Sequence, residues 1–224
     1  MKLESVIPWG RTFEEYRRMF QLTETDLTKL VIGIGDGPAS FNAELHRMGR
    51  SVVSIDPIYA FSANEIASRI EQTYETVIDQ MRLNASDYNW TDFRDEQGLG
   101  AERMRAMKAF LADYETGKQE GRYRLESLPA TSFPDQSFDL ALCSHLLFLY
   151  SAHLSEAFHW QAVREMLRIA DEVRIFPLVD LTNQLSPFVK TVSEDCRERG
   201  LKTDIIEVPY HFQKNGNQML VIRN

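Results

Sequence analysis

Residues 30–41 read LVIGIGDGPASF, and residues 52–56 read VVSID. An apolar, β-branched run feeds directly into Gly33, Gly35 and Gly37, and then into a segment that the sequence opens as a helix at Pro38. A second apolar run ends on an acid, Asp56. Strand, glycine loop, helix and a second strand closed by a carboxylate is how an α/β protein builds a pocket for an adenosine-containing cofactor. Without Cβ atoms the loop turns sharply and lets a ligand approach the backbone. The following helix is expected to add its free N–H groups and the positive end of its dipole. Asp56, 23 residues beyond Gly33, is placed to accept two hydrogen bonds from a ribose diol. The pattern is GxGxG followed by Pro38, so the third glycine of a dinucleotide fingerprint is missing. A tight βα turn with solvated Asp36 and Asp56 is the competing reading.

Outward from this stretch the chain reads as an alternation of strands and helices. Residues 12–20 form a short helix with Thr12 as N-cap and Glu15 closing a capping box. Strands are expected over 29–34, 51–55, 123–125, 137–143, 172–178, 202–208 and 218–223, and helices over 39–48, 155–170 and 186–199. The last two strands are joined by PYHFQKNGN, whose Asn215-Gly216 is a hairpin signal. Between Asp56 and Tyr123 lie 66 residues, far more than one crossover helix requires. Residues 62–83 carry Ile66, Ile70, Tyr74, Val77, Ile78 and Met81 at helical spacing. Residues 101–114 again read as a helix. Between them, residues 84–100 are polar, aromatic and glycine-broken, with few evident core anchors. The excursion over 58–122 is therefore expected as a helical insertion at the carboxyl edge of the sheet, forming a lid or a substrate wall.

Composition limits the function classes. With 224 residues, 43% hydrophobic and 26% charged, the chain suits one α/β domain spanning 1–224. It has no run of eighteen apolar residues, and its first residues, MKLESVIPWGRTFEEY, lack the apolar core of a secretory signal. Two cysteines, Cys143 and Cys196, build neither a disulfide framework nor a metal cluster, so no metal is expected and a cytoplasmic setting is. The net charge of −8 repels a phosphate backbone. Arg103, Arg105, Lys108, Arg122 and Arg124 are interleaved with acids and read as solvated faces, so neither nucleic acid nor membrane is an expected partner.

On VIGIGDGPASF, VVSIDP, ESLPATSFPDQSFDLALCSHLLFLY and the closing hairpin, residues 29–224 resemble the class I S-adenosylmethionine-dependent methyltransferases, with the 58–122 insertion as the departure. The resemblance implies a Rossmann-like, doubly wound, seven-stranded, mostly parallel sheet whose last strand runs antiparallel beside the fifth. It implies S-adenosylmethionine as cofactor. Gly33, Gly35 and Gly37 would lie against its methionine part and ribose, Asp56 on the ribose hydroxyls, and Pro57 or Ile58 on the adenine. The acid that many relatives carry after the third strand is replaced by Glu126-Ser127-Leu128, from which Glu126 or Ser127 is to supply the adenine contact and Leu128 backbone groups and an apolar edge. Ser144 and His145 would stand beside the sulfonium. A nicotinamide-dependent oxidoreductase and a catalytically silent nucleoside-cofactor-binding protein of the same fold are the alternatives.

Methyl transfer from a sulfonium mainly needs alignment and desolvation. No acceptor motif is present, so a small-molecule acceptor is the expected partner. His145 is the first candidate for a base, because histidine titrates near neutrality and this one follows a strand at the cofactor edge. Tyr210 and His211 are candidates from the other side. Arg11 is a candidate partner for the cofactor carboxylate, with Trp9 folded over it. Met81, Tyr88, Trp90, Phe93, Met104 and Met107 are assigned either to the core or to an apolar substrate pocket.

Overall fold

In the computed structural model, residues 8–223 are described, and the two runs flanking the glycine loop are neighbouring parallel strands. Residues 1–7, on which part of the signal-peptide reading rests, and Asn224 lie outside the described residues. The strands are β1 (Val31–Ile34), β2 (Val52–Ile55), β3 (Tyr123–Arg124), β4 (Phe138–Ser144), β5 (Ala170–Phe176), β6 (Lys202–Glu207) and β7 (Gln218–Arg223). They form one sheet in the order β3-β2-β1-β4-β5-β7-β6. β1 to β5 pair in parallel, and β7 lies antiparallel between β5 and β6. This is the expected doubly wound sheet with its inverted last strand. The chain steps outward from β1 to β3, then returns to β4 on the other side of β1. The order thus reverses between β1 and β4, and ligands of open α/β sheets bind at the carboxyl ends of such a pair.

Six α-helices are described: α1 (Phe13–Met19), α2 (Phe41–Arg47), α3 (Ala63–Leu83), α4 (Glu96–Gln119), α5 (Glu156–Ile169) and α6 (Phe188–Glu198). Alternation along the central strands divides the core in two. Val31, Leu140 and Leu142 face a layer that includes Tyr16, Phe20, Phe41 and Met81. Ile32, Ile34, Ala141 and Cys143 face Val163 and Met166 of α5 and Val189 and Val192 of α6. Period-two alternation between two covered faces is why these strands are apolar throughout. Each fully buried aliphatic side chain, Leu142 for example, contributes about 1.5–3 kcal/mol.

Two expectations are corrected by the fold. The second insertion helix runs over Glu96–Gln119 and begins at an Asp95 N-cap, whose carboxylate accepts from Gly98 N at 2.7 Å. Gly98 and Gly100 do not break this helix but serve close approach: a Cβ at Gly98 would meet Phe93 O at 2.0 Å, and one at Gly100 the Tyr74 hydroxyl at 2.3 Å. Residues 84–100 also have core anchors. Phe93 is buried, and Tyr88, Trp90 and Phe93 all pack on Phe212 with ring centroids 4.7, 5.5 and 5.2 Å away. Phe212 lies about 120 residues downstream, so no local pattern reveals this cluster.

Candidate functional site

The glycine loop is held open by its own backbone conformation. Gly35 has φ +70° and Gly37 φ +53°, values that L side chains adopt only under strain. A Cβ on Gly35 would stand 3.0 Å from Leu146, whereas one on Gly37 would find its nearest neighbour at 4.0 Å, the Asp56 carboxylate. Tyr59 donates to the Gly37 carbonyl at 2.8 Å and braces the loop from outside. The helix after the loop opens at Phe41, not at Pro38, and its Ser40 N–H is taken by the Arg11 carbonyl at 3.0 Å. Residues 39–43 at the helix start stay off the cavity wall, which Gly35, Asp36, Gly37 and Pro38 help to form instead.

These residues line a cavity of about 1120 Å³ at the carboxyl ends of β1, β2 and β4. That exceeds the roughly 300–1,000 Å³ of ordinary small-molecule pockets, enough for a nucleoside and a second molecule. Asp56 closes β2 and lines this space, with one oxygen accepting from Gly37 N at 2.9 Å and the other from Ile58 N at 2.8 Å. Two backbone donors fix the carboxylate plane and leave further lone pairs free. Burial raises its pKa, and the two N–H bonds oppose the rise. Pro57, Ile58, Glu126, Ser127 and Leu128 continue the wall. The Glu126 carboxylate is already held by Ser132 (2.7 and 2.8 Å) and Arg124 (2.7 Å).

On the other side of the switch point, Ser144 ends β4, His145 follows it, and both line the same cavity. Ser144 Oγ lies 3.0 Å from His145 Nδ1. Burial, with Arg11 and Arg103 nearby, pushes the His145 pKa well below its ordinary value, so the imidazole is neutral at pH 7. Arg11 lines the cavity too, and its Nε is buried without a hydrogen-bond partner. Tyr210 reaches the cavity, but its hydroxyl is engaged: it donates to Glu15 at 2.9 Å and accepts from Arg103 at 3.2 Å. Gly33 and His211 are not among the lining residues. Gly33 instead makes room for Asp36, whose carboxylate lies 1.9 Å from where its Cβ would be.

Burial overturns the solvated setting expected for two arginines. Arg103, expected on a solvated face, is 1% exposed and ion-paired to Glu15. Arg122 is likewise buried, with Asp113 at 2.7 Å and Asn42 at 2.8 Å. A cation enters the interior only with its counter-charge. Asp36, solvated only in the competing reading of the loop, is buried; it accepts from the Tyr16 hydroxyl at 2.7 Å and from Ser54 Oγ at 2.6 Å. Burial raises its pKa to about 7 against the pull of those two bonds, with Asp56 adding to the rise. Its place between two loop glycines looks like turn chemistry, and its partners are distant in sequence. Among the insertion's residues, Met81 and Tyr88 line the cavity, while Met107 and Phe93 belong to the core.

No family model matches the chain. It is 33% identical over 224 residues to the uncharacterized protein MJ0045 of Methanocaldococcus jannaschii, a match covering all of this chain and 98% of that one. The chain belongs to the family of that archaeal protein. Its fold is the class I S-adenosylmethionine-dependent methyltransferase fold, as the sequence resemblance implied. The bifunctional kinase-methyltransferase WbdD matches with a TM-score of 0.51 at 12% identity, over 95% of this chain and 39% of WbdD. This chain thus corresponds to about two fifths of WbdD's length. Magnesium protoporphyrin IX methyltransferase of Synechocystis PCC 6803, crystallised with S-adenosylmethionine, matches with a TM-score of 0.44 at 11% identity, over 95% of this chain and 90% of that one. No described helix is long and apolar enough to cross a membrane.

Proposed function

We propose that this protein binds S-adenosylmethionine and directs its methyl group to a small-molecule acceptor. The observation that carries the reading is Asp56. A carboxylate at the end of β2 is locked by two backbone N–H bonds and faces the same cavity as the left-handed glycines Gly35 and Gly37. The residues present fit the cofactor on separate grounds: a Cβ-free ledge at Gly37, and an orphaned Arg11 Nε to answer a carboxylate.

When bound, the cofactor supplies an activated methyl group on a cationic sulfur. The chain's own part is to orient and desolvate. Asp56 takes the ribose diol, Gly35 and Gly37 the ribose and methionine part, and Pro57, Ile58 and Leu128 the apolar face of the adenine, with Glu126 or Ser127 at its polar edge. Ser144 borders the reacting centre. His145, neutral and on the cavity wall, is the candidate base. Tyr210 is the weaker candidate because its hydroxyl is already engaged, and His211 lies off the cavity wall. The helices of the insertion act as a substrate wall: Ile66, Val77 and Met81 of α3 line the cavity, together with Tyr88 and Phe212. This apolar lining, within an acidic chain, suits a small acceptor with an apolar body.

Calorimetric titration with S-adenosylhomocysteine tests the reading. Wild type is expected to bind, and Asp56→Ala to weaken binding by about 2–4 kcal/mol, as two charge-assisted hydrogen bonds are lost. Binding of NADH without any affinity for S-adenosylhomocysteine would replace this reading with the oxidoreductase one.

A further inference from the structure

Arginines buried elsewhere in this protein are fully compensated. Arg122 reaches Asp113 at 2.7 Å and Glu120 at 2.8 Å, and Arg174 reaches Glu172 at 2.6 Å and Asp26 at 3.2 Å. The cavity breaks this pattern. Arg11 and Arg103 both line it, and among the described residues the one carboxylate in ion-pair reach of either is Glu15, on Arg103. Glu15 is already engaged: it accepts from Thr12 N at 2.9 Å, from the Tyr210 hydroxyl at 2.9 Å and from Arg103. Arg11 makes a single hydrogen bond, a long one of 3.5 Å from Nη1 to Trp9 O. Its Nε and the Nε of Arg103 are both buried without a partner. A guanidinium cannot shed its proton to escape such a deficit, so one positive charge stays uncompensated until an anion arrives. Burial, with Arg103 close by, lowers the Arg11 pKa, as expected of a cation short of counter-charge.

The surface beside these cations is apolar. Arg103 Cζ lies 5.4 Å from the Phe93 ring centroid, Phe93 packs on Phe212 at 5.2 Å, and Phe212 stacks on Tyr88 at 4.7 Å. Tyr88 and Phe212 line the cavity, as do Val77 and Met81 of the same cluster. Tyr210, which accepts from Arg103 at 3.2 Å, meets the Phe176 ring at 5.8 Å. An excess guanidinium set against such a wall is complementary to a molecule with an apolar body and one negative charge.

We propose, resting on the methyl-transfer reading above, that the acceptor is an apolar carboxylic acid bound as its anion. Its carboxylate lies between Arg11 and Arg103, and its body lies against Val77, Met81, Tyr88 and Phe212. A planar carboxylate matches the parallel N–H bonds along one edge of a guanidinium. Arg11 has five N–H donors, so answering the cofactor carboxylate through one edge leaves another edge for the acceptor. Nor does the cofactor cancel the excess charge, because its carboxylate arrives with two cationic groups. A neutral analogue of the acid would leave buried N–H groups unmet, and that is how the site selects.

Calorimetry with two acids of different body, naphthoate and decanoate, each against its neutral amide, tests this without knowledge of the natural acceptor. In protein saturated with S-adenosylhomocysteine, at least one acid is expected to bind about 10- to 100-fold more tightly than its amide, as for charge-assisted hydrogen bonds. The titrations are repeated without nucleoside and with methylthioadenosine, which lacks the amino-acid part of the cofactor. In the methylthioadenosine-filled protein, Arg11→Met should bring the acid-to-amide ratio close to one and leave the amide affinity unchanged, while Arg11→Lys keeps part of the preference. Thermal melts check folding, and Arg11→Gln serves where Arg11→Met does not fold. Expulsion of the acids by S-adenosylhomocysteine but not by methylthioadenosine would show that the carboxylate at the arginines is the cofactor's own, and overturns the inference. So does failure of both acids to outbind their amides, or tighter binding of naphthyl phosphate than of naphthoate. An acid preference in protein with no affinity for S-adenosylhomocysteine overturns the cofactor reading instead, so the two failures are distinct.

Discussion

The two ends of the cavity are built by opposite means. At the glycine end, Gly35, Gly37, Asp56 and Ile58 lie within 24 residues of one another, and backbone amides do most of the holding. At the far end, Arg103 of α4 meets Glu15 of α1 across 88 residues, and Tyr210 meets Glu15 across 195. Tyr88, Trp90 and Phe93 of the insertion close on Phe212. One end is specified by local conformation, the other by long-range side-chain pairing. Cofactor recognition should therefore fail through the backbone, and acceptor recognition through the packing of elements remote in sequence.

The largest effects should separate the ends. Gly35→Ala forces a side chain into φ +70° and against Leu146 at 3.0 Å. Calorimetry should show S-adenosylhomocysteine binding reduced beyond detection, while the melting temperature falls by only a few degrees. Normal binding would make this loop a turn and nothing more. Arg103→Ala should do the reverse. It strands the buried Glu15 carboxylate, which Arg103 holds below the usual range against its burial. Unfolding in urea should register a loss of about 3–5 kcal/mol, as for a broken buried pair. A loss below about 1 kcal/mol would mean that the far wall does not depend on this pair.

The same contrast explains what the sequence could and could not disclose. The central strands were legible because β1, β2 and most of β4 are apolar runs bounded by turn residues, whereas the sheet order and its inverted last strand were legible through the family resemblance. The position of Asp56 at the carboxyl end of β2 was legible because strand and acid are adjacent. Arg103 was not, since an arginine among acids on a helix looks the same whether its partner is solvent or a carboxylate on α1. Gly98 and Gly100 signalled a break because the neighbours that need their missing Cβ atoms, Phe93 O and Tyr74, cannot be deduced from local pattern. Asp36 sits inside the best motif of the chain, where only the competing reading gives it a place, as a solvated turn residue. Only the fold shows Tyr16, twenty residues earlier, and Ser54, eighteen later, converging on it.

Asp36 supplies a smaller, graded test of the glycine end. Its pKa is about 7 in the folded protein and about 3.8 as an isolated side chain. Between those values the native state holds a proton that the unfolded chain has released. The contribution of this group to stability is complete below pH 3.8 and is lost as pH rises towards 7. The slope over that window is about −1.4 kcal/mol per pH unit. Asp36→Asn should remove this component, so that unfolding free energies of variant and wild type, measured at pH 4.5, 5.5 and 6.5, diverge steadily in the variant's favour. Parallel curves would place the Asp36 titration outside that window.

The smallest effect is expected in the insertion, and it decides between a wall and a lid. A lid must open, which requires local unfolding or hinge motion at low cost. Residues 84–100 do not look built for that. Trp90 donates to Ala85 O at 2.9 Å, Asn89 N to Phe212 O at 2.7 Å and Lys214 N to Asp87 O at 3.1 Å, in addition to the ring stacking on Phe212. Backbone bonds to a distant segment, joined by buried aromatic contacts, make opening costly. Amide hydrogen exchange with and without S-adenosylhomocysteine should therefore show protection rising over 33–37 and scarcely changing over 84–100. A comparable rise in both segments would make the insertion a closing lid and leave its aromatic cluster as the latch. With no rise over 84–100, α3 and its neighbours are a fixed surface, and the acceptor must be selected by fit to side chains already in place.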